Sequence, residues 1–186
     1  MQKNYKYKII TIPNLLTVVR LILIPFIVWL YCFKKEHLAT AIVLVLSGIT
    51  DLVDGFIARK FNMISELGKI IDPIADKLTQ FVVLICLWTR FPTMIIPCSL
   101  LFLKELISGI VAMFAIRKSG KVDGADWHGK VSTFMLYAMM IIHVLWVNIP
   151  ILVSNTMIIL CTAMMILSFV LYNIRNLTTY KSFVQK

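Results

Sequence analysis

Four aspartates within 26 residues are the part of this sequence best suited to chemistry. They are Asp51, Asp54, Asp72 and Asp76, in a chain of 186 residues with only nine acidic side chains. All four fall in or beside long apolar segments, where an ionised carboxylate is costly unless a cation compensates it. Asp51 and Asp54 are three residues apart, and Asp72 and Asp76 are four apart, so each pair shares one helix face.

Divalent cations are the simplest compensation for these charges. Two helices joined by a short loop would bring one pair of aspartates opposite the other, and two divalent ions would neutralise them. Hard oxygen ligands favour Mg²⁺ or Mn²⁺ over zinc, and two such ions can clamp a pyrophosphate and its leaving oxygen. With Asp51, Asp54 and Asp72 holding most of the metal, Asp76 is placed to accept a proton from an attacking hydroxyl. A single buried aspartate paired with Arg20 or Lys104 would be an ordinary structural feature, but four of them favour chemistry.

The composition is that of an all-α integral membrane protein. The chain is 60% hydrophobic with a mean hydropathy of +0.88, against about 45–50% apolar residues in soluble domains. The net charge of +10 comes from basic residues clustered at the ends of apolar segments, which fits an anionic membrane surface or a phosphorylated substrate better than nucleic acid. The four cysteines stand singly in apolar segments, and we interpret them as small hydrophobic residues.

Six transmembrane helices account for nearly the whole chain at about 20 residues per span. They are predicted at residues 13–33, 38–59, 67–89, 93–117, 127–148 and 151–175. The first twelve residues interleave lysines with tyrosines and isoleucines, which predicts a basic interfacial segment on the membrane surface. The following apolar run is too long for a signal peptide and lacks a small-residue cleavage site. We therefore expect a single membrane domain over residues 1–186.

The placement of Lys and Arg predicts the orientation of the chain. Thirteen of these residues fall on the side of both termini and the aspartates, and only Lys34, Lys35 and Arg90 fall on the other. Basic residues prefer the cytoplasmic side, so we expect the aspartates to face the cytoplasm.

The aspartate stretch resembles the signature of the CDP-alcohol phosphatidyltransferases. The pattern Asp-x2-Asp-Gly-x2-Ala-Arg followed by Gly-x3-Asp-x3-Asp is present without a substitution from Asp51 to Asp76. It fixes eight residues at set spacings, and the resemblance extends to six helices after a basic N-terminal segment.

The resemblance implies a reaction and a role for each matching residue. An alcohol would attack the β-phosphate of CDP-diacylglycerol and release CMP, in an enzyme that is a homodimer in the cell membrane. Asp51, Asp54, Asp72 and Asp76 would hold two divalent cations, with Asp76 also the general base. The residues implied to contact the CDP-lipid are Asn14, Thr17, Gly55, Arg59 and Ser65.

The resemblance leaves two acceptor alcohols open. The segment from Ile12 to Pro25 resembles phosphatidylglycerophosphate synthases, which use glycerol 3-phosphate, and also the CMP-forming cardiolipin synthases, which use phosphatidylglycerol. Glycerol 3-phosphate is the acceptor we expect. Cations are needed near the acceptor phosphate, and the candidates are Arg20, Lys104, Arg117 and Lys130.

Two other classes of membrane protein use acidic helices. Intramembrane prenyltransferases bind a pyrophosphate through Asp motifs, but those motifs lie far apart in the chain, and Gly55 and Arg59 have no role in that scheme. A magnesium transporter would need acidic residues leading across the membrane, whereas these four aspartates lie near one side.

Overall fold

The part of the chain that the computed structural model describes is helical, without a strand. It comprises residues 11–60, 66–119 and 127–184, with side chains described throughout except at residues 12, 58, 59, 66, 67, 69, 70, 111–119 and 176–184. The helices are α1 (Ile12–Val28) with a π-helical continuation (Trp29–Lys34), α2 (His37–Lys60), α3 (Glu66–Trp88), a 3₁₀ turn (Pro92–Met94) leading into α4 (Ile95–Ser119), α5 (Trp127–Leu145) and α6 (Ile151–Val184).

The first helix has defined boundaries at both ends. Thr11 caps it, since its hydroxyl accepts a hydrogen bond from the backbone N–H of Asn14 at 3.4 Å, and Pro13 occupies the first turn, where no N–H is needed. At the other end, the π-helical segment stops at Lys35, which adopts the left-handed conformation (φ 56°). The Glu36 N–H then reaches back to the Leu30 carbonyl at 3.0 Å, and α2 begins at His37.

Five stretches of the described chain are long and apolar enough to cross a membrane, so this is a multi-pass membrane protein. They are Pro13–Lys34, His37–Ile57, Pro92–Ile110, Trp127–Leu145 and Ile151–Arg175. The prediction of six helices is confirmed, but the prediction of six spans is not. The helix without span character is α3, because Asp72, Asp76 and Lys77 lie in its first half. That α3 crosses the membrane stays a prediction. Residues 1–10 of the predicted interfacial segment lie outside the described residues.

The helices form two compact units. The first consists of Met1–Cys86 with Val144–Val147, and the second of Leu87–His143 with Asn148–Lys186. The prediction of a single domain over residues 1–186 stays a prediction.

In the first unit, α1 packs lengthwise against α2. The buried faces of both helices repeat at alternating spacings of three and four residues, the pattern by which two helices keep one seam facing each other. The buried residues are Thr17, Arg20, Ile24 and Ile27 on α1, and Thr40, Leu44, Ser47 and Asp54 on α2. The half-buried Asp51 falls in the same series. The seam is therefore apolar toward one end and carries Arg20 and the aspartates toward the other.

In the second unit, α4 packs against α6. The buried face of α6 follows the same alternation and consists of Ser154, Ile158, Cys161, Met165 and Ser168. Two histidines of α5 bind this face: His143 Nε2 lies 2.9 Å from Ser154 Oγ, and His128 Nδ1 lies 3.3 Å from Ser168 Oγ. Small hydroxyl residues that bond across helices are a common means of helix association in membranes.

Large apolar side chains point outward in both units. Ile151 and Phe33 are 80% and 75% exposed, which is the distribution expected of helices surrounded by lipid.

Candidate active site

Arg20 joins the two aspartates of α2. Its Nη2 donates to Asp54 Oδ2 at 2.5 Å, and its Nη1 lies 2.7 Å from Asp51 Oδ1. The contact with Asp51 is an ion pair without a well-aligned hydrogen bond. Arg20 is completely buried and Asp54 nearly so. A buried charge must be paired to be tolerated, so Arg20 and the two carboxylates stabilise one another.

Thr17, one turn before Arg20, binds the third aspartate. Its hydroxyl contacts Asp72 Oδ1 on α3 and lies 3.1 Å from the Pro13 carbonyl. An ionised carboxylate can only accept a hydrogen bond, so the Thr17 hydroxyl donates its hydrogen bond to Asp72. One face of α1 therefore contacts both halves of the acidic motif.

The fourth aspartate is held within its own helix. Gln80 lies four residues after Asp76, and its Nε2 donates to Asp76 Oδ2 at 2.8 Å. Lys77 Nζ lies 4.0 Å from the same oxygen. Gln80 is fully buried, and its Oε1 has no hydrogen-bond partner among the described residues. The Gln80 side chain thus presents its NH₂ group to Asp76.

The four aspartates form one electrostatic cluster. Asp51 interacts electrostatically with both Asp72 and Asp76, and Asp54 interacts with Asp51 and Asp72. Arg20 and Lys77 bring two positive charges to four negative ones, so these contacts leave two negative charges for a further cation. An all-oxygen donor set with this charge fits a divalent metal ion. Within the described residues, however, no three acidic, His or Cys side chains are close enough together to hold one ion. Arg20, Thr17 and Gln80 each contact carboxylate oxygens of the set.

The other predicted site residues are distributed between the two units. Asn14 is half-buried on the first turns of α1, and the half-buried Gly55 directly follows Asp54. Lys104 is half-buried on α4 and Lys130 is exposed on α5, both in the second unit. Ser65 lies outside the described residues, and the side chains of Arg59 and Arg117 are among those not described.

The contact of Gln80 with Asp76 and the pairing of Arg20 with both Asp51 and Asp54 were not predicted from the sequence, although pairing of Arg20 with one buried aspartate was considered. Gln80 could have been found, because Asp72, Asp76 and Gln80 follow one another at intervals of four on one helix face. Arg20 was interpreted as a substrate-binding cation, and its pairing with Asp51 and Asp54 depends on the register of α1 against α2, which spacing within one helix does not give.

The comparisons with known proteins agree with the aspartate signature. The model of the CDP-alcohol phosphatidyltransferase family matches residues 10–176, most of the chain, and members of this family generally depend on a divalent metal.

Several curated relatives carry the name CDP-diacylglycerol–glycerol-3-phosphate 3-phosphatidyltransferase. One from Rickettsia typhi is 41% identical over 111 residues, 58% of this chain and 62% of the relative. One from Sodalis glossinidius is 32% identical over 130 residues, 67% of this chain and 71% of the relative. A Schizosaccharomyces pombe protein named as a fusion of CMP-forming cardiolipin synthase and a mitochondrial hydrolase is 43% identical over 90 residues, 48% of this chain and 15% of the relative.

The chain covers about three fifths of the length of the Rickettsia relatives. The signature, the acidic cluster and a family match over most of the chain lead to one conclusion. The protein belongs to the CDP-alcohol phosphatidyltransferase family.

Proposed function

We propose that the protein transfers the phosphatidyl group of CDP-diacylglycerol to glycerol 3-phosphate, giving phosphatidylglycerophosphate and CMP. The observation that carries the reaction class is the electrostatic cluster of Asp51, Asp54, Asp72 and Asp76 in a chain that belongs to this family. The choice of glycerol 3-phosphate is supported by the names of the relatives from Rickettsia and Sodalis.

In this proposal the four aspartates hold two divalent cations, either Mg²⁺ or Mn²⁺. Asp51, Asp54 and Asp72 are the principal ligands, and Asp76 is a ligand of one ion. When bound, the ions supply electrostatic stabilisation of the charge that develops on the pyrophosphate. The two negative charges that Arg20 and Lys77 leave uncompensated match the charge of one of these two divalent ions.

Asp76 acts as the general base. The acceptor hydroxyl oxygen forms a bond to the β-phosphorus of CDP-diacylglycerol, the bond from that phosphorus to the CMP oxygen breaks, and CMP leaves with the electron pair. Asp76 takes the hydroxyl proton. Gln80 donates a hydrogen bond to Asp76 Oδ2 and so holds the carboxylate in one orientation. A general base must be positioned within reach of the proton that it accepts.

The CDP-lipid is bound by Asn14, Thr17, Gly55, Arg59 and Ser65. The position of Thr17 beside Asp72 and of Gly55 beside Asp54 supports this assignment, because the aspartates would hold the metal ions that bind the pyrophosphate. Gly55 has no side chain to obstruct a substrate there.

The acceptor phosphate is bound by cations among Arg20, Lys104, Arg117 and Lys130. Arg20 would have to leave Asp51 and Asp54 to do so. The alternative acceptor is phosphatidylglycerol, as in a CMP-forming cardiolipin synthase, and the Schizosaccharomyces pombe match supports keeping it.

We also propose a homodimer in the cell membrane with the aspartates facing the cytoplasm.

An acceptor screen tests the function. Purified protein with Mg²⁺ or Mn²⁺ and CDP-diacylglycerol is incubated with glycerol 3-phosphate, phosphatidylglycerol, inositol phosphate or serine, and CMP is measured. We expect CMP release with glycerol 3-phosphate alone and none after chelation of the metal. Release with phosphatidylglycerol instead would establish the alternative, and release with none of the four would refute both.

The variant Asp76→Asn tests the base. We expect kcat to fall by about 10²–10⁴-fold, with binding of CDP-diacylglycerol largely retained. Glu36→Gln, an exposed carboxylate between α1 and α2, is the matched control and should keep normal turnover. Lost binding together with normal chemistry per bound substrate would contradict the assignment.

A further inference from the structure

Arg20 occupies oxygens that the proposed metal ions would need. It contacts Oδ1 of Asp51 and Oδ2 of Asp54 through its two terminal nitrogens, at 2.7 and 2.5 Å. Its Nε has no hydrogen-bond partner among the described residues, although the side chain is fully buried. Among the described residues, these two carboxylates are therefore the groups that hold the guanidinium.

The contact with Asp51 is the weaker of the two by geometry. It is an ion pair without a well-aligned hydrogen bond, whereas the contact with Asp54 has hydrogen-bond geometry. The guanidinium would therefore lose less directed bonding on leaving Asp51 than on leaving Asp54.

A guanidinium and a divalent cation compete at such a pair. Both are attracted to the same oxygens, and both are positive, so each weakens the binding of the other at short range. Thr17 holds Asp72 independently on the same face of α1. Movement of the Arg20 side chain alone would therefore free the α2 pair while α1 keeps its contact with α3.

We propose that Arg20 is a displaceable counter-ion. It neutralises Asp51 and Asp54 and keeps them in place, and a divalent cation that binds these aspartates must move the guanidinium aside. Arg20 is thus a positioning residue for the metal ligands. This inference rests on the metal-binding role proposed above for Asp51 and Asp54.

The test measures Mn²⁺ binding to the purified protein, with the electron paramagnetic resonance signal of free Mn²⁺ as the readout. Thermal unfolding is measured in parallel with and without Mn²⁺. In Arg20→Met the competitor is removed, so we expect the Kd for Mn²⁺ to fall on the order of tenfold, because the repulsion between two neighbouring cations is lost. The same variant should unfold at a lower temperature than the wild type without Mn²⁺, and Mn²⁺ should raise its unfolding temperature by more.

Two further variants keep the test informative. Arg20→Lys retains the charge but cannot bridge two carboxylates, so its Kd should fall between those of the wild type and Arg20→Met. Arg90→Met removes an exposed arginine outside the acidic cluster and should leave the Kd unchanged.

The proposal would be overturned if Arg20→Met or Arg20→Lys bound Mn²⁺ with an unchanged or lower affinity. If Arg20 only held the aspartates in place and did not compete with the metal, its removal would weaken Mn²⁺ binding. A wild type that binds no Mn²⁺ would overturn the metal assignment as well. The reaction itself is judged separately, by CMP release in the acceptor screen.

Discussion

The four aspartates of the cluster are bound by three different kinds of side chain. Asp51 and Asp54 share a guanidinium, Asp72 has a hydroxyl, and Asp76 has an amide. Neutral donors orient a carboxylate without cancelling its charge, so the Thr17 and Gln80 contacts leave the charges of Asp72 and Asp76 in place, with Lys77 4.0 Å from Asp76. The charges of Asp51 and Asp54 are instead partly neutralised by Arg20, so the two pairs differ electrostatically although the sequence pattern treats them alike.

The contact between Gln80 and Asp76 gives a prediction for catalysis. Gln80→Leu removes the donor to Asp76 Oδ2, so the carboxylate can rotate, and we expect kcat to fall on the order of tenfold with little change in KM for CDP-diacylglycerol. Steady-state kinetics of CMP release measure both parameters. The control is Thr79→Val, whose hydroxyl bonds only within its helix, to the Ala75 carbonyl at 2.9 Å. Equal losses in both variants would mean that Gln80 acts through packing alone.

The helices α1, α2 and α6 all bury faces with alternating three- and four-residue spacing. Hydropathy predicted the apolar part of every helix to within a few residues, and the predicted sixth span, residues 151–175, agrees with the apolar stretch Ile151–Arg175. It did not indicate that the helix itself continues beyond the span, to Val184. Hydropathy reports what lipid favours, whereas a helix can continue into water on its backbone hydrogen bonds and polar side chains.

The site could be predicted only in part for a similar reason. The spacing of the four aspartates gave the faces they share, because a helix fixes that geometry by itself. The contacts of Arg20 and Thr17 join residues 34 and 55 positions apart. They depend on how neighbouring helices align, which no local pattern encodes.

The two cysteines of the first unit provide a test of helix packing. Cys32, in the π-helical segment, and Cys86, on α3, have their sulfurs 3.8 Å apart, although we interpreted both from the sequence as single hydrophobic residues. We expect mild oxidation with diamide to join them within one chain, giving a mass loss of about two hydrogens. Cys98 and Cys161 lie in the second unit and serve as internal controls that should stay reduced. Oxidation that leaves Cys32 and Cys86 free would contradict this packing of α3.

The bond between α5 and α6 gives a prediction for stability. His143 is buried, with Nδ1 2.8 Å from the Met139 carbonyl and Nε2 2.9 Å from Ser154 Oγ, so the serine donates to Nε2. Ser154→Ala leaves that nitrogen without its donor, and we expect a loss of about 1 kcal/mol in the free energy of unfolding. Unfolding in mixed micelles measures it. Thr156→Ala, which removes only an exposed bond to the Leu152 carbonyl, should cost less, and equal costs would argue against the His143 contact.

For the whole molecule, α3 decides the topology. With six crossings both ends of the chain face the same side of the membrane, whereas five crossings would separate them. We expect α3 to cross, because its second half is apolar and its charged first half belongs to the acidic cluster. Reporter fusions at each end, with an enzyme active only outside the cytoplasm and a fluorescent protein active only inside, should place both ends in the cytoplasm. Ends on opposite sides would show that α3 does not cross.

The π-helical segment at Trp29–Lys34 also matters for how the chain tolerates changes in length. A π-helical turn holds more residues than an α-helical one, so deleting one residue there can be absorbed by a return to regular α-helix. Thr17 and Arg20 lie upstream of that turn and would keep their register against α2. The same deletion between Thr17 and Ile27 would rotate them away from the aspartates. Related proteins that differ by one residue in this first span can therefore be expected to differ in its last turn, where the length of the span is adjusted without disturbing the site.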